Sequence, residues 1–168
     1  TGDRNMAIGH NALTNNNTGI NNVAIGFRSQ EANQDGEQNV SLGVFTLLKN
    51  NGGDWNTAIG MQALHENVTG DGNTAVGSAA LRNNTASQNT AVGLQSMMNT
   101  TSGAANSALG YMSLDTNTTG NNNTALGHTA DVAANNLVNA TAIGYGAVVG
   151  ASNSIQLGNS NVNLININ

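Results

Sequence analysis

The 168-residue chain has no cysteine and no proline, only 3% aromatic residues and only 8% charged ones. Each shortage excludes something. Without cysteine there is neither a disulfide framework nor a thiolate metal site. Four Lys+Arg against nine Asp+Glu leave a net charge of −5. That balance cannot supply the basic footprint that nucleic acid requires, and it disfavours an anionic membrane. No apolar run approaches the ~18 residues of a membrane-spanning helix, and no secretory signal is read in it. Direct membrane insertion is therefore not expected. The low charge and the lack of proline also set the chain apart from ordinary disordered segments. It opens on Thr1 rather than Met, which reads as a fragment or a processed segment.

What is abundant is Asn (32), Gly (21) and Thr (17), and these are arranged in a repeat. The pattern Asn-x-Ala/Ser-(Ile, Leu or Val)-Gly runs through Asn5–Gly9, Asn22–Gly26, Asn39–Gly43, Asn56–Gly60, Asn73–Gly77, Asn89–Gly93, Asn106–Gly110 and Asn123–Gly127. Ala140–Gly144 and Ser154–Gly158 are degenerate last copies. Successive motif glycines lie 17 residues apart, except for one interval of 16 and a final one of 14. Three residues after each Gly comes a small residue (Ala12, Ser29, Thr46, Ala63 and onward), then an apolar one (Leu13, Leu47, Leu64, Leu81, Met97, Leu114, Val148), with Gln30 and Asp131 breaking that column. A second Gly recurs at 19, 36, 53, 70, 103 and 120.

A unit of this kind is too Gly-, Asn- and Thr-rich for a helix. It offers two short apolar stretches between turn residues, which reads as two strands and two turns. The expected fold is therefore all-β: a parallel β-solenoid of about ten coils, one 17-residue repeat per coil, over residues 1–158. Residues 159–168 are read as an exit strand or the start of a stalk. At about 4.8 Å per coil the rod would be roughly 43 Å long. The glycines suit corners that need positive φ or close backbone approach. The Asn column suits a ladder of stacked amides, a structural role rather than a ligand site. The structural repeat residues are then Asn22, Gly26, Asn56, Gly60, Asn73, Gly77, Asn89, Gly93, Asn106, Gly110, Asn123 and Gly127.

Side chains alternate across a strand, so Val23 and Ile25 share one face and Ala24 the other. Both kinds of position are apolar or small in most copies, and strands of that kind are buried on both sides. One thin roll has a single interior, so the second face calls for another chain in a symmetric homo-oligomer. The Ala columns would permit close chain approach, with Ile and Leu filling the core.

The stretch Asn21–Gly26 (NNVAIG), with Ala7–His10 (AIGH), resembles the head repeat of trimeric autotransporter adhesins of the YadA-like type. That resemblance implies a left-handed parallel β-roll and a homotrimer. The usual head repeat is shorter, and only the last interval, Gly144 to Gly158, has its length. The extra residues should enlarge one turn. Asn153–Val162 (NSIQLGNSNV) resembles the segment closing such arrays in phage tail-fibre-like and bacterial surface proteins. In many of those an endosialidase-type self-cleaving chaperone domain follows.

Signals for catalysis are poor. The carboxylates fall mostly in turns at differing repeat positions. A glycosidase needs two of them about 5–9.5 Å apart, for which Glu66 and Asp71 are the nearest candidates. His10 and His128 share the column after the motif Gly, seven coils apart. Gly52-Gly53-Asp54 and Gly70-Asp71-Gly72-Asn73 hint at a calcium β-roll but lack its nonapeptide period. No phosphate-loop pattern occurs. No catalytic residue, cofactor or metal is expected. For ligand binding, Trp55, Tyr111 and Tyr145 are the weak candidates.

The expected function is a structural and adhesive segment of a trimeric extracellular fibre, on a cell-surface appendage or a virion tail fibre, with a glycan or protein receptor. The alternatives are a polysaccharide-degrading tailspike-type enzyme and an ice-binding protein built on the Thr column (Thr57, Thr74, Thr90, Thr124, Thr141, with Ser107). The last reading is weakened by an expectation that this column shares the interior with Ile, Val and Leu.

Overall fold

The computed structural model describes residues 2–162. It is an all-β solenoid of about nine turns. The strands are β1 (Met6–Ile8), β2 (Val23–Ile25), β3 (Val40–Leu42), β4 (Thr57–Ile59), β5 (Thr74–Val76), β6 (Thr90–Val92), β7 (Ser107–Leu109), β8 (Thr124–Leu126), β9 (Asp131–Val132), β10 (Thr141–Ile143), β11 (Val148–Val149) and β12 (Ile155–Leu157). Ten of them form one parallel sheet in the order β1 to β8, β10, β12. Its register pairs like with like: Thr57 with Thr74, Ala58 with Ala75, Ile59 with Val76. The predicted coil and its period are therefore present. The exit-strand reading of 159–168 is met only by a turn at 160–161, and 163–168 lie outside the described residues.

The second wall departs from the expectation of two strands per coil. Only β9 and β11 are strands there. In the other coils the wall alternates left-handed residues, such as Gln62 (φ 61°) and Leu64 (φ 51°), or Gln95 (φ 58°) and Met97 (φ 53°). The backbone is still bonded from coil to coil: Gln62 N donates to Val44 O at 2.9 Å, and Leu64 N to Ala80 O at 3.1 Å. Left-handed φ at the Leu position also cancels the strict two-face alternation of a strand. Ala63 and Leu64 are both fully buried, where opposite faces were expected. In the last two coils the wall becomes extended, and the core residues are Val132 and Val149.

The faces of the main sheet are the reverse of the sequence expectation. In seven of the ten triplets the central residue is an Ala (Ala24, Ala58, Ala75, Ala91, Ala108, Ala125, Ala142) that points inward and is buried. The flanking residues point outward, including Ile8, Leu42, Leu109, Leu126 and Ile143, all exposed. Ala does not line a contact between chains, and Ile does not fill the core. The cause is volume: the sheet lies so near the second wall that Ala opposite Ala and Leu fills the space. The core is accordingly a thread of Ala58, Ala63, Leu64, Ala75, Ala80, Leu81 and their equivalents. Between coils two and three the thread is polar: Gln30 of coil two replaces Leu and Ser41 of coil three replaces Ala. Gln30 Nε2 bonds Ser41 Oγ at 2.8 Å and Val23 O at 3.0 Å, while its Oε1 has no partner.

Two asparagine columns tie the coils together. In the motif column the ladder runs through the backbone rather than amide to amide. Asn56 Oδ1 accepts the Asn73 N–H at 2.9 Å, and Asn56 Nδ2 donates to Gly70 O at 2.8 Å. Direct amide contacts there are secondary, such as Asn73 Nδ2 to Asn56 Oδ1 at 3.1 Å. The second column was not anticipated. Asn16, Asn33, Asn50 and Asn67 form a true amide ladder, with Nδ2 to Oδ1 distances of 2.8, 2.9 and 3.1 Å. Each stands three residues before the second Gly, and that spacing explains the Gly. A Cβ on Gly53 would meet Asn50 Oδ1 at 2.5 Å and Gly70 O at 2.6 Å. The motif Gly is constrained twice: Gly60 has φ +122°, and its Cβ would lie 2.6 Å from the Gly77 carbonyl.

Candidate functional site

Three surfaces could carry function. The first is the outward face of the main sheet. None of its ten triplets contains a charged residue. Their outward side chains form two parallel columns. One holds Met6, Val23, Val40, Thr57, Thr74, Thr90, Ser107, Thr124, Thr141 and Ile155. The other holds Ile8, Ile25, Leu42, Ile59, Val76, Val92, Leu109, Leu126, Ile143 and Leu157. Leu109 is 49% exposed and Leu126 43%. Between them lies a shallow groove of about 260 Å³ lined by Thr90, Val92, Ser107, Leu109, Thr124 and Leu126. The Ile/Leu/Val column is a continuous apolar strip, which makes this face a candidate interaction surface. The Thr column belongs to this outer face, which corrects the expectation that it was interior.

The second surface is the column after the motif Gly, at the coil corner beside the first. His10 stacks on Phe27 at 5.7 Å, and Phe27 meets Phe45 edge-on at 5.3 Å. Further along, His128 lies between Tyr111 and Tyr145, with centroids at 5.0 and 5.4 Å. Two of the three weak ligand candidates, Tyr111 and Tyr145, are thus brought together around His128. Trp55 stands apart. It is 58% exposed and left-handed at φ 56°, in the column just before the motif Asn.

The third surface holds the charged groups. Glu66 takes Lys49 Nζ at 2.6 Å and His65 Nδ1 at 2.8 Å. The hydrogen bond from Lys49 is the main cause holding the Glu66 carboxyl below its usual range, with His65 acting in the same direction. A carboxylate so stabilised is a poor proton donor. Asp71 is not joined to it: Asp71 Oδ1 instead accepts the Asp54 N–H at 2.9 Å, and Asp54 Oδ1 accepts the Glu37 N–H at 2.7 Å. The proposed Glu66/Asp71 pair therefore consists of two groups engaged elsewhere. Among the described residues no group of three or more His, Asp or Glu could hold a metal ion.

Asp131 and Asp115 are the carboxylates pushed the other way. Burial raises Asp131 above its ordinary value of 3.8, against the opposing effect of donors from Thr116 and Val132. Its Oδ2 accepts Thr116 Oγ1 at 2.7 Å and Thr116 N at 3.0 Å, and Oδ1 accepts Val132 N at 2.8 Å. Burial, and then the charge of Asp131, raises Asp115. Raised folded-state values mean the folded chain binds more protons just above pH 3.8. The stability from this pair is full below the ordinary value and is lost as pH rises through the raised ones. Asp131→Asn keeps an acceptor for Thr116 and removes the buried charge. It should flatten the fall of the melting temperature as pH rises above the ordinary carboxylate value of 3.8; an unchanged pH profile would show that Asp131 is not responsible.

The chain matches no family model, no curated protein and no solved structure.

Proposed function

We propose that this solenoid is a structural and adhesive segment of a trimeric extracellular fibre, on a cell-surface appendage or a virion tail fibre. Three copies pack about one axis through the outward Thr/Ile faces of their main sheets. The observation that carries this reading is that face: uncharged, largely apolar and continuous over ten ranks, on a chain whose turns are otherwise polar. A stiff rod with polar turns outside presents repeated weak contacts to a receptor, and repetition converts them into avidity. The resemblance of the NNVAIG repeat to trimeric adhesin heads supports the same arrangement. No cofactor and no catalytic residue enters this reading.

The test is retention on receptor-bearing cells without chemistry. The assembled protein should stay bound to host-type cells or isolated surface glycans, and no new reducing ends should appear. Release of reducing ends, abolished by Glu66→Gln or Asp71→Asn, would establish the polysaccharide-degrading alternative instead. The outward Thr column gives the ice-binding reading a specific observation in its favour. That reading requires the face to be bare, so it predicts a monomer with thermal hysteresis, whereas a fibre shows neither.

A further inference from the structure

Within the array one coil is a residue short: Gly77 and Gly93 are 16 residues apart, where the motif glycines on either side are 17 apart. The missing residue falls in the turn. Coils one to four carry Asn-x-x-Gly there, ending on Gly19, Gly36, Gly53 and Gly70, whereas coil five carries Asn84-Thr85-Ala86-Ser87. Asn84 Nδ2 bonds the carbonyl of Ala86, two residues on, while Asn67 Nδ2 reaches that of Gly70, three on.

Elsewhere this turn supplies an acceptor to the coil before it. Asn17, Thr18 and Gly19 donate together to Gln34 O at 2.9, 2.9 and 3.2 Å. Gln34, Asp35 and Gly36 donate to Asn51 O at 3.0, 3.1 and 3.2 Å. Beyond the short coil the pattern returns, with Thr101, Ser102 and Gly103 on Thr118 O. The equivalent donors facing coil five are Val68, Thr69 and Gly70, and the repeat makes Thr85 their acceptor. Among the described residues none of these three N–H groups has an acceptor in the chain. A second orphan stands beside them. Asn67 is fully buried, and its Oδ1, which the amide ladder would pair with the next Asn, has no donor. A Cβ on Gly70 would meet that oxygen at 2.3 Å, so both orphans belong to one gap. Val68 and Thr69 are exposed, which puts the gap at the surface.

Three donors beside one acceptor define the ligand. It must present an oxygen lone pair and, on the same side, a hydrogen to donate. An anion offers no hydrogen to Asn67 Oδ1. It would also meet an acidic turn, where Glu66 and Asp71 flank the donors and Asp54 lies one coil back. Of the nearby cations, Lys49 is already held by Glu66, which leaves Arg82. A peptide has the right carbonyl, but in a trans amide the N–H points away from it. The adjoining turns are closed by the chain's own bonds, such as Gly52 N to Val68 O at 3.2 Å, so further peptide groups would find no partners. An N-acetylated sugar offers a single pendant carbonyl with a ring hydroxyl on the neighbouring carbon.

We infer that the turn Asn67–Gly70, facing the short coil, binds the acetamido group of a neutral N-acetylated sugar. The carbonyl oxygen accepts the Val68, Thr69 and Gly70 N–H groups, in the role that a turn carbonyl fills in the other coils. The adjacent hydroxyl donates to Asn67 Oδ1. This deepens the attachment reading and rests on it for biological sense. The site lies in a turn rather than on the main sheet, so binding does not require three chains.

The backbone amides themselves report the binding. In a heteronuclear spectrum of the isotope-labelled protein, triacetylchitotriose at millimolar concentration should shift the Val68, Thr69 and Gly70 resonances saturably. Cellotriose, which has the hydroxyls without the acetamido group, should not. Thr69→Pro deletes one donor, and that N–H bonds nothing in the chain, so the fold keeps its hydrogen bonds. Affinity should fall about fivefold, while Thr69→Ser binds as the parent does. One glycine inserted after Ala86 restores the 17-residue spacing and should abolish binding. No saturable shift of the three amides would overturn the inference. So would an equal response to cellotriose, or undiminished affinity in both Thr69→Pro and the insertion variant. An equal response to N-acetylalanine methylamide would assign the site to peptides and overturn the sugar. Retention on cells is measured with the same preparations. Retention without the shifts defeats this site alone, and shifts without retention defeat the attachment reading alone.

Discussion

Replacing Asn56 by Ala is expected to cost about 3–5 kcal/mol of unfolding free energy, a large share of what a domain of this size has. The side chain is fully buried and its amide serves two neighbours. Its Oδ1 accepts the Asn73 N–H, and its Nδ2 donates to the Gly70 carbonyl. Alanine leaves the Asn73 N–H buried without a partner, at about 1–3 kcal/mol, removes one of the two bonds to the Gly70 carbonyl, which keeps the one from Asn67 Nδ2, and leaves a small void besides. Aspartate is almost isosteric and should be worse. It keeps the bond to Asn73 but turns a second oxygen toward the Gly70 carbonyl and buries a charge. The control is Asn17→Ala, an exposed asparagine, which should change stability by less than about 0.5 kcal/mol. Denaturant unfolding followed by circular dichroism measures all three. Equal behaviour of Asn56→Ala and Asn17→Ala would show that the motif Asn is not structural.

The second large effect concerns assembly rather than folding. Leu109→Asp with Leu126→Asp places two charges on the outer face, in adjacent ranks of one column. Both positions are exposed in the single chain, so the solenoid should fold as before. In an assembly built on this face six carboxylates would be gathered near the axis without partners, and burying unpaired charge is strongly unfavourable. The variant should be monomeric at concentrations where the parent is a trimer, with an unchanged strand spectrum. Thr85→Asp, in an exposed turn, should leave the assembly intact. A double variant that still assembled would move the interface elsewhere.

The fold class was readable because repetition enforces itself: motif glycines held at 17-residue intervals leave a stack of like coils as the simple solution. The facing of the sheet was not. Alternation shows that Thr57 and Ile59 share a side and that Ala58 has the other, but it does not say which side is inside. Hydrophobicity alone favours Ile within. Only the width of the coil, a property of the folded backbone, puts Ala there. The left-handed wall was equally hidden, since Gln62 and Leu64 carry no mark of positive φ as glycine does. The second amide ladder was legible in principle, in Asn-x-x-Gly at Asn50–Gly53 and Asn67–Gly70. Of the candidate ligand residues, Tyr111 and Tyr145 stood in a column that the repeat already defined. That His128 lies between them appeared only with the ring distances.

The central claim is that the uncharged outer face is where copies of this chain meet. It is tested most directly by the native mass of the unmodified protein at micromolar concentration. The account predicts three times the 17.0 kDa of a single chain, and a return to one chain in the Leu109→Asp/Leu126→Asp variant. A parent protein that runs as a single 17.0 kDa chain, with its outer face open to water, would contradict it.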